Sequence, residues 1–307
     1  MVIVIILFSI FVIYSIIAYI LFTALFTNKN KLFILKANKS YVEANELGTK
    51  WLFENKDTKD IYIETNDNLK LRGIFIEGNK YLNRTIICVH GFKTKTGLDD
   101  FGMTIKFLCE SGYNILVLDN RSYGKSEGIY TGFSILDSKD VVEWAKYLVN
   151  NLKQEKIILY GLSMGAATVI NAVGNKELPF EVKGICSDSS FSNAYEEMSN
   201  QIRRYYNAPS FPLIVFYNTY LKIFAKYSLK DIKPIEEIQK FNGIVLLIHG
   251  DKDLMVPTKN VYNLYDNVKG EKDILVVNNA SHCKSYLVDK VAYESKFSSL
   301  IDKVNNL

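Results

Sequence analysis

Three observations predict an α/β architecture: a mostly parallel central sheet with helices on both faces, an N-terminal β-hairpin and a helical cap. Short apolar runs rich in β-branched residues recur along the chain, separated by segments with helical periodicity. The first two strand-like segments flank a turn cluster instead of a helix, which reads as a hairpin. One apolar run, Ile157 to Tyr160, breaks into Gly161-Leu162-Ser163-Met164-Gly165 and continues as the small-residue start of a helix. That is the strand, sharp turn and helix of a nucleophile elbow, with the serine hydroxyl at the tip. Gly161 and Gly165 carry no β-carbon, so strand and helix can approach closely there.

The elements follow in order. Val2 to Thr27 contains no charged side chain and exceeds the roughly 20 residues that span a bilayer core. A cleaved signal peptide needs a basic start, a shorter apolar stretch and a small-residue cleavage site. The run lacks these, so residues 1–27 are expected to be an uncleaved transmembrane anchor, apolar on every face. Lys29, Lys31, Lys36 and Lys39 follow before the first acid, Glu43. By the positive-inside rule they place the following domain in the cytoplasm. Residues 28–57 are expected to link anchor and domain, with an amphipathic helix over 38–56. The domain itself occupies 58–307. Ile61–Thr65 and Leu71–Ile76, either side of Asn66-Asp67-Asn68, form the hairpin. Buried strands are expected at 85–89, 114–118, 157–160, 182–186, 244–248 and 274–277, because continuous apolar runs mark strands covered on both faces. Helices are expected around 98–110, 134–151, 163–174, 258–268 and 284–304.

Over fifty residues separate the strand near 186 from the one near 244, and they are rich in aromatics, Phe191, Tyr195, Phe216, Tyr220 and Phe224 among them. A structureless loop of that length is improbable in a folded domain. The segment from about 190 to 235 is read as inserted helices over the carboxyl edge of the sheet, a cap that adds packing and can shape an apolar pocket.

Composition narrows the function. Hydrophobic residues make up 48% of the 307 and the net charge is +4, with basic residues scattered. No basic stripe with interleaved aromatics suggests nucleic-acid binding. Cys88, Cys109, Cys186 and Cys283 show no CxxC spacing, and the three histidines lie far apart, so no metal site is predicted.

Four motifs fall just after four predicted strands, where the ligand sites of open α/β sheets form. His90-Gly91-Phe92 follows the strand at 85–89. With Gly91 turning the chain, the Phe92 N–H can face the serine beside the N–H of Met164, giving a two-donor oxyanion hole. Asp119 to Gly128 is read as a bracing loop in which Arg121 is structural. His249-Gly250-Asp251-Lys252-Asp253 offers two carboxylates after the strand at 244–248. Ser281-His282 follows the last strand. His90 and His249 sit in His-Gly turns, which leaves His282 as the favoured partner for Ser163. The order Ser163, Asp, His282 is the chain order of one serine-triad fold.

With these motifs the sequence resembles the α/β-hydrolase superfamily over roughly residues 58–305. It looks most like the bacterial membrane-anchored group related to lysophospholipase-like and prolyl-oligopeptidase-like serine hydrolases. The resemblance implies that Asp253 is the triad acid, ahead of Asp251 and the more remote Asp188. Ser122 stands where such proteins usually carry glycine. The expected chemistry is cofactor-free hydrolysis of carboxylic esters, lipid-like or acyl-ester, through an acyl-enzyme on Ser163. A serine peptidase or thioesterase using the same triad, or a binding protein on the same fold, are the alternatives; there is no room for a propeller domain.

Overall fold

A computed structural model of the chain describes residues 1–27, 39–79 and 82–307. Lys29, Lys31 and Lys36 of the basic run lie outside the described residues. The apolar start folds as one helix, α1 (Val2–Phe26), of 25 residues, about 37 Å long at 1.5 Å per residue. Its mean hydropathy is 2.9, and by length and composition it is a candidate membrane-spanning helix. Next come α2 (Lys39–Asn55), the hairpin β1 (Thr58–Glu64) and β2 (Lys70–Ile76), then β3 (Arg84–Val89), α3 (Leu98–Glu110), β4 (Asn114–Leu118), α4 (Ile135–Leu152), β5 (Lys156–Leu162), α5 (Met164–Val173) and β6 (Val182–Asp188). The insertion holds α6 (Ala194–Tyr206), α7 (Leu213–Tyr220) with a π-helical turn over Leu221–Ala225, and α8 (Pro234–Glu237). The chain closes with β7 (Ile244–Gly250), α9 (Lys259–Asn267), β8 (Lys272–Val277), α10 (Ser285–Val288) and α11 (Lys290–Asn305).

The strands form one eight-stranded sheet in the order β1-β2-β4-β3-β5-β6-β7-β8. β2 pairs antiparallel with β1 and with β4; every later pairing is parallel. This is the α/β-hydrolase fold. The chain leaves β3 for β4 on one side and returns to β5 on the other, a topological switch that opens a crevice at the carboxyl ends of β3 and β5. One face of the sheet packs Ile86, Cys88, Tyr160 and Leu246 against Phe101, Leu108 and Phe297 of α3 and α11. The other packs Ile87, Leu159 and Val245 against Trp144, Ile170 and Leu264 of α4, α5 and α9. Burial on both faces explains why the strands read as continuous apolar runs.

Local chemistry sets the helix ends. The Ser134 N–H donates to Asp137 Oδ2 at 2.8 Å, half of a capping box at the start of α4. Asn193 Oδ1 caps α6 by accepting from the Glu196 N–H at 3.1 Å, with acids in the first turn and Arg203 and Arg204 in the last, as the helix dipole favours. The single C-terminal helix expected over 284–304 is divided instead. Asp289 leaves helical geometry and its carboxylate accepts from the Ala292 N–H at 3.0 Å, so a new helix begins there.

α2 does more than connect. A β-carbon at Gly102 would strike the Asn45 carbonyl, so α2 and α3 touch backbone to backbone. Asn45 Oδ1 accepts from the Met103 N–H at 3.0 Å across that contact. The cap and the last turns of α1 enclose a third apolar cluster, in which Ala18, Phe22 and Phe26 meet Phe133, Met164, Phe191 and Tyr217. α1 is apolar on every face, as expected, but its burial is uneven. Its first turns are exposed all round, whereas Ala18, Phe22, Ala24 and Phe26 are buried. A uniformly apolar helix has no preferred face in its own sequence, so the face that docks is chosen by the cap.

Candidate active site

β5 ends at Leu162 and α5 begins at Met164, leaving Ser163 at the tip of the turn with φ 55° and ψ −117°. A non-glycine residue with positive φ is strained. Two close approaches enforce it. A β-carbon at Gly161 would meet the Gly165 carbonyl, and one at Gly165 would meet the Val89 carbonyl at the end of β3. The Ser163 N–H donates to the Asp188 carbonyl at 2.9 Å, holding the turn to β6.

His282 is placed by the turn after β8. Its Nε2 lies 2.7 Å from Ser163 Oγ and its Nδ1 2.6 Å from Asp253 Oδ2. With the proton on Nδ1, the imidazole donates to the carboxylate and accepts from the serine hydroxyl. Asp253 is buried, and its Oδ1 accepts from the N–H groups of Met255 at 2.9 Å and Val256 at 2.8 Å. Burial alone would raise its pKa, but hydrogen bonds from His249 and His282 hold the carboxyl well below its ordinary range. Burial likewise opposes the His282 imidazolium, yet its pKa is raised well above the ordinary value by its neighbours Cys283 and Asp253. Asp253 is the cause of substance, since burial keeps the Cys283 thiol protonated. Ser163 and His282 stay partly exposed, so a small molecule can reach them.

The structure separates the three candidate acids. Asp251 Oδ1 accepts from the Asn279 N–H at 2.6 Å and braces the turn that leads to His282. Asp188 accepts from the Ser189 hydroxyl at 2.9 Å and the Tyr293 hydroxyl at 3.1 Å, and burial lifts its pKa to about 6. Only Asp253 bonds His282. The other two histidines are buried and structural. His90 Nε2 accepts from the Asn120 N–H at 3.1 Å and its Nδ1 lies 2.7 Å from the Gly91 carbonyl, tying the loop after β3 to that after β4.

That loop brings Gly91 against Ser163: a β-carbon at Gly91 would stand 3.2 Å from the serine Cβ. The Gly91 N–H donates to Asp100 Oδ2 at 2.7 Å, and Asp100 Oδ1 in turn accepts from the Tyr41 hydroxyl of α2 at 2.9 Å. Among the described residues, the N–H groups of Phe92 and Met164 have no acceptor within the chain. Arg121 is buried between Asp140 and Asp67, with 2.6 Å and 2.9 Å ion pairs, and braces the loop after β4 as expected of a structural residue. Ser122 takes φ 69° there, the conformation glycine would adopt without strain.

Sequence reasoning missed four participants. His249 backs Asp253, a role that the four-residue His-to-Asp spacing could have suggested. Asp100 and Tyr41 brace Gly91, and Lys93 reaches α1; neither leaves a local signal. A cavity of about 280 Å³ lined by Phe107, Glu110, Ile301 and Asp302 is a different place altogether. Its neighbour Asn305 bonds Arg84 and Tyr113 at the amino ends of β3 and β4, the edge of the sheet opposite Ser163.

Comparison with known proteins agrees with this fold. A family model described as the alpha/beta hydrolase fold matches residues 84–212. The uncharacterized protein YqkD of Bacillus subtilis is 26% identical over 258 residues, 83% of this chain and 82% of its own length. An esterase of Pyrococcus furiosus, Pf2001, superimposes with a TM-score of 0.65 at 25% identity, covering 80% of this chain and 91% of the esterase. A bacterial membrane phospholipase A shares the fold at a TM-score of 0.61 and 14% identity, over 87% of this chain and 94% of that one.

Proposed function

We propose that this chain, which belongs to the α/β-hydrolase superfamily, is a serine hydrolase that cleaves carboxylic esters with apolar, lipid-like acyl groups. One observation carries the reading: the unbroken line of hydrogen bonds from Ser163 Oγ through His282 to Asp253, at 2.7 and 2.6 Å. Ester hydrolysis in general is also what the esterase similarity supports.

The steps follow from the geometry. Ser163 Oγ attacks the acyl carbon while its proton passes to His282 Nε2. Asp253 keeps the imidazole in the Nδ1–H tautomer and stabilises the imidazolium. Charge on the former carbonyl oxygen is met by the N–H groups of Phe92 and Met164. The carbon–oxygen bond of the ester breaks, and His282 returns the proton to the leaving alkoxide. Water then attacks the acyl-enzyme, giving its proton to His282, and the acid departs as Ser163 recovers its hydrogen. No cofactor or metal enters this route.

The apolar surroundings favour a lipid-like substrate. Phe133, Phe191 and Met255 belong to the cluster above the elbow, together with the cap and α1. In this reading 1–27 is a membrane anchor, 28–57 connects it, and 58–307 is the catalytic domain with its cap over about 190–235. The lysines after α1 orient that domain to the cytoplasm. The test is fluorophosphonate labelling of the full-length protein, beside Ser163→Ala and His282→Ala, followed by an ester, thioester and peptide panel. Labelling of the wild type alone, with turnover of medium- and long-chain esters, is expected. A folded wild type that neither labels nor turns over esters would refute the proposal, and turnover confined to peptides would reassign the bond.

A further inference from the structure

α1 ends at the oxyanion loop. The last carbonyls of a helix lack intrahelical donors and carry the negative end of its dipole. No basic residue in the last turn of α1 answers that charge. Lys93 supplies it from across the fold: its Nζ donates to the Ala24 carbonyl at 2.7 Å and to the Thr27 carbonyl at 3.3 Å. Burial lowers the Lys93 pKa to about 8, as fits an ammonium drawn out of water toward those carbonyls. The Phe26 carbonyl accepts from the Thr131 N–H at 3.0 Å, and Thr27 forms an isolated antiparallel bridge with Tyr130.

These attachments converge on both residues that face the ester oxygen in the function proposed above. Lys93 directly follows Phe92 and holds a positive φ of 64°. The Phe26 ring lies 6.3 Å from that of Phe92 and 5.6 Å from that of Phe133, which meets Phe92 edge-on at 5.4 Å. Thr131, bonded to the helix end, places its hydroxyl 3.9 Å from the Met164 sulfur. Phe92 therefore has the helix on one side of its ring and the Lys93 strut on its backbone.

We propose that the C-terminal end of α1 is a working part of the active site: seated through Lys93 and Phe26, it positions the Phe92 N–H, so catalysis requires the apolar helix to be docked on the oxyanion loop. Lys93 is a positioning residue. It touches no substrate and acts through Phe92. The inference rests on the serine-hydrolase reading, and it makes α1 more than a tether.

The experiment uses full-length protein in detergent micelles and a soluble short-chain p-nitrophenyl ester, so that membrane delivery of substrate plays no part. Lys93→Met, Lys93→Arg, Phe26→Ala and Tyr220→Phe are compared with the wild type. The last removes a different tie to α1, the Tyr220 hydroxyl being 2.6 Å from Ser15 Oγ. Losing an oxyanion donor outright costs about 100- to 1,000-fold in kcat, so displacing one by losing its strut should cost about 10- to 100-fold. That loss is expected in Lys93→Met and Phe26→Ala, in kcat and in fluorophosphonate labelling rate alike, with KM within about twofold, recovery in Lys93→Arg and no change in Tyr220→Phe. Wild-type kcat in a folded Lys93→Met or Phe26→Ala would overturn the inference, as would an equal loss in Tyr220→Phe. Should Lys93→Met not fold, Phe26→Ala decides alone. Failure of the underlying function would look different, because the wild type itself would then be inactive and unlabelled.

Discussion

His249 Nε2 lies 3.2 Å from Asp253 Oδ2, the oxygen that also bonds His282. The same nitrogen is 2.9 Å from the Val256 carbonyl, so its N–H is shared between the two acceptors. Asp253 thus receives two imidazoles and two backbone N–H groups. The carboxylate that bonds His282 is itself held by His249 and by the Met255 and Val256 N–H groups.

The arrangement ranks the substitutions around it. Asp253→Asn removes the acceptor that selects the His282 tautomer and should cut kcat by about 10⁴-fold, the size of that change in a serine protease. His249→Leu leaves Ser163, His282 and Asp253 in place but removes the one N–H that Asp253 and the Val256 carbonyl share. A loss of about 10-fold in kcat and about 1–3 kcal/mol in stability is expected. Asp251→Asn, at a carboxylate bonded to the Asn279 N–H instead of the imidazole, should keep kcat within a few-fold. Steady-state kinetics with thermal melts would check all three, and a larger loss in Asp251→Asn than in Asp253→Asn would reverse the assignment of the acid.

The strain at the elbow costs stability. Ser163 sits at φ 55° and ψ −117°, a conformation that suits glycine better than serine. Ser163→Gly should raise thermal stability by about 1 kcal/mol while abolishing turnover. Ser163→Ala should abolish it without that gain, with a loss of about six orders of magnitude. Gly165→Ala should go the other way, since its β-carbon meets the Val89 carbonyl, and cost about 1–3 kcal/mol or more. Calorimetry of the set would check the signs.

The pH–rate profile should report His282. Imidazole accepts the serine proton only when neutral, and the pKa of His282 is raised above its usual 6.5. The acid limb of kcat/KM should therefore lie above pH 6.5, activity growing as pH rises through it. In Asp253→Asn the residual activity should show that limb shifted to lower pH, because the carboxylate that favours the imidazolium is gone. A limb at or below the ordinary histidine value in the wild type would count against His282 as the base.

Glu197 of the cap is buried, and burial lifts its pKa from 4.5 to about 7. Between those values the folded protein holds more protons than the unfolded chain, so this group makes stability fall as pH rises through the window. Glu197→Gln removes the contribution. The variant should match the wild type near pH 4 and be more stable by about 1–3 kcal/mol near pH 8, one pKa unit being worth about 1.4 kcal/mol. Thermal melts across that range would check the divergence.

Much of this molecule is legible in the chain because its signals are local. Gly161, Ser163 and Gly165 are neighbours in sequence, so the elbow is written in five residues. The buried strands announce themselves as apolar runs, and strand–helix alternation implies a parallel sheet. The break at Asp289 leaves no such signal, because a cap one residue long is hidden inside a helical period. By itself the sequence therefore determined the fold class, the elbow with Ser163 at its tip, and a helix apolar enough to cross a membrane. Between Asp253 and Asp251, two carboxylates two residues apart, the motif resemblance favours the first, and what separates their surroundings is supplied by tertiary structure. It alone enlisted His249 and braced Gly91 through Asp100 and Tyr41. It also decided which face of α1 is covered, through Lys93 and Ala24, 69 residues apart in the chain. Contacts of that span depend on how separate elements pack, and neither periodicity nor composition carries that information.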